Sequence, residues 1–376
     1  MRLLALRARD WRNVAAASVE CDARFVVLAG ENAQGKTNLL EGVWTLATLR
    51  SFRESRPRRL VREGADAASL GATVRGDAGT RALGWSLQAD GARALRVDER
   101  PARGLDEWFG LLRAVLFCPE HLDIVRGDPV ARRSFVDRAA FTASPSHLAL
   151  VRDYKRVVDQ KAALLRSAPA DRASRAAWDA HLIRLGALLS QRRLRILDDL
   201  RGPFAEMHAA IAGPEPVALG LSGVGAAAAD GLAAAEAAIA EALDRAAAEE
   251  SRRRMVLCGP HRDDLVLTVD GRPARAFASQ GQARSLVLAL KLAELEAARR
   301  RGEAPLFLLD DLTSELDARR MRRLVALLAE LPNQVWITTT DPGWLGPLPG
   351  GDARILRVEA GSVRASPSVD EGPPPG

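Results

Sequence analysis

The run Phe25-Val26-Val27-Leu28-Ala29, followed by Gly30-Glu31-Asn32-Ala33-Gln34-Gly35-Lys36-Thr37, constrains this chain more than any other feature. Five apolar residues in a row read as a strand buried on both faces. The next eight fit GxxxxGK[ST], in which glycines let the backbone curl until its N–H groups converge on phosphate oxygens. Lys36 supplies a point charge for the β and γ phosphates, and Thr37 offers a hydroxyl to Mg²⁺. From Lys36 onward, Leu39, Leu40, Val43 and Leu46 keep helical spacing. A helix therefore opens on the loop and adds its positive end to the same place. The expected contacts to ATP are Gly30, Glu31, Asn32, Ala33, Gln34, Gly35, Lys36, Thr37 and Asn38.

A second apolar strand, Leu306-Phe307-Leu308-Leu309, delivers Asp310-Asp311 at its C-terminal end. Open α/β sheets bind ligands at that edge. Asp310 is placed to hold Mg²⁺, directly or through water, and Asp311 to orient or deprotonate an attacking water. Lys36, Asp310 and Asp311 are thus the candidate catalytic residues, and Thr37 and Asp310 the candidate metal ligands. Two acids at a strand end are also an ordinary solvated pair. The phosphate loop elsewhere in the chain favours chemistry. Lys36 and Asp310 lie 274 positions apart (310 − 36), far more chain than a compact P-loop enzyme needs. A sizeable insertion separates them.

The rest of the chain agrees. Leu4, Leu6 and Ala8 alternate loosely before a turn at Trp11-Arg12-Asn13, and residues 68–103 read as antiparallel strands with turns such as Asp90-Gly91. From about Ser144 to Glu250 the chain is rich in Ala, Leu and Arg at helical spacing, interrupted near Gly202-Pro203 and Gly213-Pro214. Tyr154-Lys155-Arg156 and Gln160-Lys161 read there as polar positions on amphipathic helices. Leu265 to Val269 is a strand closed by an Asp270-Gly271 turn; a long helix follows from about Gln282 to Arg301, a helix from about Ala318 to Glu330, and a strand at Val335 to Thr338. The fold class is α/β, a mixed and mainly parallel sheet with added antiparallel strands and an inserted helical lobe. The expected division is a discontinuous head, residues 1–140 and 251–365, a helical lobe at 141–250, and a disordered Ser/Pro/Gly-rich tail at 366–376.

Ser279-Gln280-Gly281-Gln282 opens the long helix that carries Leu286, Leu290, Ala293 and Ala297. Ser279 with Gln282 three residues on is a capping box. The same parts, a helix tip, a hydroxyl and a glycine, suit a γ-phosphate held by another subunit. Its place about thirty residues before the acid-ended strand favours the second reading.

The 376 residues suffice for two domains, and 47% hydrophobic with 27% charged is an ordinary globular composition. No run of about twenty apolar residues spans a membrane. Arg7, Arg9, Asp10 and Arg12 break the apolar start before a signal peptide forms. Cys21, Cys118 and Cys258 are scattered without CxxC spacing, which argues against a disulfide scaffold or zinc and makes a cytoplasmic location the default. The net charge of +6 is nearly all arginine, with lysine only at 36, 155, 161 and 291. Three clusters are candidates for DNA phosphates: Arg50, Arg53, Arg56, Arg58, Arg59 and Arg62; Arg132, Arg133 and Arg138; Arg252, Arg253 and Arg254. Each is equally a solvated or ion-paired face, and Arg53 is also placed to face the nucleotide. Aromatic residues are only 5% of the chain, so backbone contact with double-stranded DNA fits better than base stacking.

Phosphate loop, long insertion, Ser-Gln-Gly-Gln helix, Asp-Asp strand and Ser314-Glu315-Leu316-Asp317, in that order, resemble the ATPase heads of ABC proteins. More narrowly, the chain resembles the RecF family of bacterial replication and repair proteins from Leu3 to about Val358. The stretches that carry this are Gly30 to Glu41, Ser51-Phe52-Arg53, Phe117-Cys118-Pro119-Glu120, Ala131 to Asp137, Gly259 to Asp264, and Ser279 to Gln282. The resemblance implies an ABC-type head shared with SMC and Rad50 proteins. It implies an ATP-dependent homodimer, with the nucleotide sandwiched between the phosphate loop of one subunit and the 279–282 turn of the other. It further implies binding to double-stranded DNA and to junctions with single strands, RecA loading with the partners RecR and RecO, and slow turnover that resets the clamp.

Four features depart from the wider ABC pattern: Asp311 replaces the usual Glu, residues 117–122 hold no Gln, Thr338-Thr339-Thr340-Asp341 stands where transporters carry a switch His, and the 279–282 turn runs on as Ala283-Arg284 without a second Gln. The alternative reading, a nucleotide-binding subunit of a membrane transporter, shares the loop and the turn. The long insertion, the missing His and the basic balance count against it.

Overall fold

Apolar runs and alternating runs end up in different sheets. In the computed structural model, which describes residues 1–77, 79–167, 172–311, 317–346, 348 and 352–365, the strands in chain order are as follows. They are β1 (Arg2–Trp11), β2 (Val14–Glu20), β3 (Phe25–Ala29), β4 (Ala67–Gly76), β5 (Gly79–Gln88), β6 (Arg93–Val97), β7 (Arg100–Pro101) and β8 (Ala114–Phe117). After them come β9 (Val217–Ser222), β10 (Asp264–Val269), β11 (Arg272–Pro273), β12 (Leu306–Leu309), β13 (Val335–Thr339), β14 (Ala353–Glu359) and β15 (Ser362–Ala365). The tail 366–376 and Thr313-Ser314-Glu315-Leu316 lie outside the described residues. The chain divides into two compact units, one drawn from residues 1–120 and 295–376, the other from 121–294.

The first unit holds two six-stranded sheets. One has the order β15-β14-β3-β13-β12-β8, with β3, β13, β12 and β8 parallel to their neighbours and only the β14–β15 hairpin antiparallel. Every residue of β3, β8, β12 and β13 is buried, as parallel strands covered on both faces require. The other sheet is antiparallel, order β2-β1-β4-β5-β6-β7. Its strands alternate, burying Leu70, Ala72 and Val74 of β4 and Leu83, Trp85 and Leu87 of β5. Both sheets and the helix Lys36–Thr48 share one core, with Trp11 edge-on to Trp85 at 5.4 Å. The alternation expected at Leu4, Leu6 and Ala8 starts one residue early. A bulge between Leu3 and Ala5 buries Leu3 and leaves Leu4 half-exposed.

The second unit contains the helices Pro129–Ala143, His147–Arg166, Arg172–Ile211 and Leu232–Arg253, together with the antiparallel sheet β11-β10-β9. Strand β9 falls inside the 141–250 stretch read as helical. Val217-Ala218-Leu219-Gly220-Leu221-Ser222 is short, and its pairing partner is the distant β10, with Leu221 opposite Leu265. Tertiary pairing overrides a weak local signal. Tyr154 and Lys161 also differ from the surface positions expected. The Tyr154 hydroxyl meets His261 Nδ1 at 2.8 Å. Lys161 is fully buried and pairs with Asp179 at 2.5 Å and Glu250 at 2.8 Å, tying three helices together.

Two groups here, the buried Asp263 and the half-buried His261, respond to pH in opposite senses. Burial pushes the Asp263 carboxyl up to about 6, against the Gly225 N–H that donates to it at 3.1 Å. Burial pulls His261 down to about 4. As pH falls from 6.5 to 4, the folded state takes up a proton at Asp263, which adds stability. The unfolded state takes one up at His261, which removes it. Each arm is worth at most about 3 kcal/mol, so they offset. Asp263→Asn removes the first arm alone. Urea unfolding of this variant should lose up to about 3 kcal/mol between pH 6.5 and 4 relative to wild type; parallel profiles for the two proteins would refute the pairing.

Candidate nucleotide site

The strand order sets the site. β13 lies between β3, which ends in the phosphate loop, and β12, which ends in Asp310. Ligand clefts of α/β sheets form at such C-terminal edges. Here the cleft has a volume of about 940 Å³ and takes in residues 32–38 of the loop, Arg12, Asn13, Arg53, Glu120, Asp310, Asp311 and Thr338.

Two glycines make the loop possible. Gly30 has φ 157°, and a Cβ there would sit 2.3 Å from the Val358 carbonyl oxygen. Gly35 has φ 110°, and its Cβ would sit 2.8 Å from Asn13 Oδ1. At Gly30 both conformation and the backbone contact exclude a side chain, and at Gly35 the left-handed φ disfavours one. The loop is braced from outside: Gln34 Oε1 accepts from the Ala360 N–H at 2.6 Å, and Asn13 Nδ2 donates to the Ala33 carbonyl at 3.2 Å.

The expected residues converge. Lys36 Nζ donates to the carbonyls of Gly30 (2.7 Å) and Glu31 (2.6 Å). Burial lowers its pKa, while Asp311 and Asp310 work to raise it. Thr37 Oγ1 donates to Asp310 Oδ1 at 2.8 Å. Burial raises the Asp310 pKa, opposed by the hydroxyls of Thr338 and Thr37. Asp311 is half-buried with φ 50°, a left-handed conformation that marks a constrained strand end.

Thr338 contributes more than its mismatch to a switch His suggested. Its hydroxyl donates to Asp310 Oδ1 at 2.7 Å and accepts from the Asp311 N–H at 2.8 Å. Glu41, an acid inside the loop's helix, organises one wall. It is fully buried, accepts a hydrogen bond from the Ser51 hydroxyl and forms an ion pair with Arg12, whose Nε lies 3.2 Å away. Ser51 in turn accepts from the N–H groups of Arg53 (3.0 Å) and Glu54 (2.8 Å), and Arg53 reaches Asn38 Oδ1 at 3.3 Å. Burial raises the Glu41 pKa, opposed first by the Ser51 hydrogen bond. The signal in the sequence was an acid on the apolar face of the loop's helix.

The 279–282 turn forms its capping box in full. Gln282 Oε1 accepts from the Ser279 N–H at 2.9 Å, and Ser279 Oγ accepts from the Gln282 N–H at 3.2 Å. Ser279 and Gln280 are exposed. The arginine clusters are largely engaged within the chain. Arg132 is buried and bidentate to Asp264 at 2.6 and 2.8 Å, so it is a structural residue and not a surface contact. Arg133 donates to the Asp263 carbonyl, Arg252 and Arg253 share Glu249, and Arg59 and Arg62 face Glu54 and Asp10.

The family described as RecF/RecN/SMC N terminal domain matches residues 2–346. A DNA replication and repair protein RecF from Anaeromyxobacter sp. (strain Fw109-5) is 40% identical over 377 residues, covering 96% of this chain and 99% of the relative. The RecF of Synechococcus sp. (strain JA-3-3Ab) is 39% identical, covering 98% and 99%. A solved structure described as the recombination mediator protein RecF-ATP in the RecFOR pathway superposes with a TM-score of 0.87 at 25% identity, covering 97% of each chain. An Smc head bound to the C-winged helix domain of ScpA shares the fold alone, with a TM-score of 0.60 at 15% identity over 98% of each chain. The strand order, the loop and these likenesses along nearly its whole length agree, and the chain belongs to the RecF family of DNA replication and repair proteins, with an ABC-type ATPase head of the SMC kind.

Proposed function

We propose that the chain binds ATP with Mg²⁺ in this cleft and, so loaded, joins a second copy that clamps DNA during recombinational repair. The observation that carries the reading is the meeting of Thr37, Asp310 and Thr338 at one carboxylate oxygen. Thr37 Oγ1 and Asp310 Oδ1 stand 2.8 Å apart, close to the roughly 3 Å between adjacent ligands of an octahedral Mg²⁺ at 2.0–2.1 Å. The two oxygens fit that ion, and when bound it neutralises charge on the β and γ phosphates. Lys36 and the loop N–H groups hold the phosphates, and Asp311 orients the attacking water and takes its proton. The exposed tip at Ser279 meets the γ-phosphate held by the partner copy. Turnover is slow and resets the clamp. The dimer acts with RecR and RecO to load RecA at gapped or junction DNA. Membership of the RecF family favours this over a transporter subunit.

Light scattering with and without ATP and a gapped duplex tests the reading, since mass should double only with ATP and rise again with DNA. Ser279→Arg is expected to abolish the ATP-dependent dimer while the monomer keeps its ATP affinity. The substitution adds bulk and charge at an exposed helix tip, so the fold survives. If that variant dimerises as wild type does, the turn is a helix cap and nothing more.

A further inference from the structure

The last hairpin among the described residues reaches back to the phosphate loop. β14 runs parallel beside β3, with Arg357 opposite Ala29, so its turn continues past the strand end alongside the loop. Glu359 pairs with Ser362, which leaves Ala360 and Gly361 as a two-residue turn. Both have positive φ, 47° and 78°, the form that matches the twist of a hairpin. In such a turn the two central N–H groups lie outside the ladder and need partners elsewhere.

Gln34 supplies both partners. Its side-chain Oε1 accepts from the Ala360 N–H at 2.6 Å, and its main-chain carbonyl accepts from the Gly361 N–H at 2.8 Å. The turn sits close against the loop's surroundings: a Cβ on Gly361 would lie 2.5 Å from the Asn13 carbonyl oxygen. Asn13 in turn donates from Nδ2 to the Ala33 carbonyl. Two successive carbonyls of the loop, those of Ala33 and Gln34, are therefore fixed from outside.

A trans peptide is planar, with its N–H opposed to its C=O. Holding the Gln34 carbonyl against the turn aims the Gly35 N–H the other way. That peptide borders a glycine with φ 110°, whose freedom would otherwise let it flip. A flipped peptide presents oxygen to a phosphate, where a nest needs N–H.

We propose that the 360–361 turn is a latch on the Gln34–Gly35 peptide, and that Gln34 is a positioning residue whose side-chain oxygen is turned to the latch and not to the nucleotide, an inference that rests on the phosphate-loop reading above. The latch sets one donor of the nest before ATP arrives, so its ordering cost does not fall at binding. Loop N–H groups cradle the α and β phosphates, which ATP and ADP share. The latch therefore serves both nucleotides alike.

The test is calorimetry of the full chain with ATP and, separately, ADP, each with Mg²⁺, beside steady-state turnover. Gln34→Met keeps the length of the side chain and removes the acceptor. Affinity for ATP and for ADP should fall by the same factor, roughly fivefold to tenfold for one hydrogen bond. KM should rise in step while kcat holds, because Lys36, Thr37, Asp310 and Asp311 are untouched. Gly361→Ala drives a Cβ into the Asn13 carbonyl and should give the same pattern from the hairpin side. Ala360→Gly keeps the N–H and suits φ 47°, so it should bind both nucleotides as wild type does. Lost ATP affinity with ADP affinity intact would mean that Gln34 touches the γ-phosphate itself, and would overturn the latch. Unchanged affinities in Gln34→Met, with or without a lower melting temperature of the free protein, would make the contact merely structural and overturn it too. So would an Ala360→Gly variant that binds as poorly as Gln34→Met, since the hydrogen bond would then not be the cause. Wild type that binds neither nucleotide would remove the phosphate-loop reading itself.

Discussion

Lys36→Met will keep the fold and lose ATP turnover by roughly a thousandfold, the scale for removing one preorganised charge from a phosphate-binding site. Lys36 is 8% exposed. Methionine matches its length and fills the same space without a charge to desolvate. The substitution removes the Lys36 Nζ hydrogen bonds to the Gly30 and Glu31 carbonyls but leaves the two loop glycines and the braces from Asn13 and Ala360 in place. Thermal unfolding reads the loss directly: ATP should raise the wild-type melting temperature, as any ligand of the native state does. The variant should melt near the apo wild-type temperature with or without ATP. Calorimetry returning a wild-type affinity for the variant would mean the loop is not the phosphate site.

Asp311→Asn should behave in the opposite way at the binding step. ATP affinity survives, hydrolysis slows by roughly 10²–10⁴, the usual range for a general base, and the ATP-bound dimer persists. The substitution is conformationally safe. Asp311 has φ 50°, and asparagine tolerates the left-handed region as well as aspartate does. The backbone N–H that donates to Thr338 is unchanged. Single-turnover hydrolysis and the dimer lifetime after dilution check the two halves separately. Wild-type turnover would clear Asp311 of the role, and lost ATP affinity would move it among the binding residues.

The sequence made the parallel sheet readable because its strands are unbroken apolar runs, and the phosphate loop because its glycines have no substitutes. Asp310 was legible for the same reason: an apolar strand pointed to it. What stayed hidden depends on pairing between distant residues. β9 owes its state to β10, and Leu3 replaces Leu4 in the core through a bulge that no periodicity announces. Lys161 looked like a surface lysine because its partners, Asp179 and Glu250, are 18 and 89 positions away (179 − 161, 250 − 161). Glu41 and Thr338 were missed for a related reason. A buried acid in a helix and a threonine in a strand look the same in one dimension, whatever they hold in three. Of the arginine runs, Arg59, Arg62, Arg132, Arg252 and Arg253 are taken up by acids of their own chain, which a run of charge does not announce.

Thr338 has only one proton to give, and that fixes the sense of a small electrical chain. The Asp311 amide gives to the hydroxyl and the hydroxyl gives to the Asp310 carboxylate, so polarity runs one way across two strands. On the proposed reading, a cation held at Asp310 would compete for the oxygen that the Thr338 hydroxyl grips, and that single side chain would couple the two acids of the strand end.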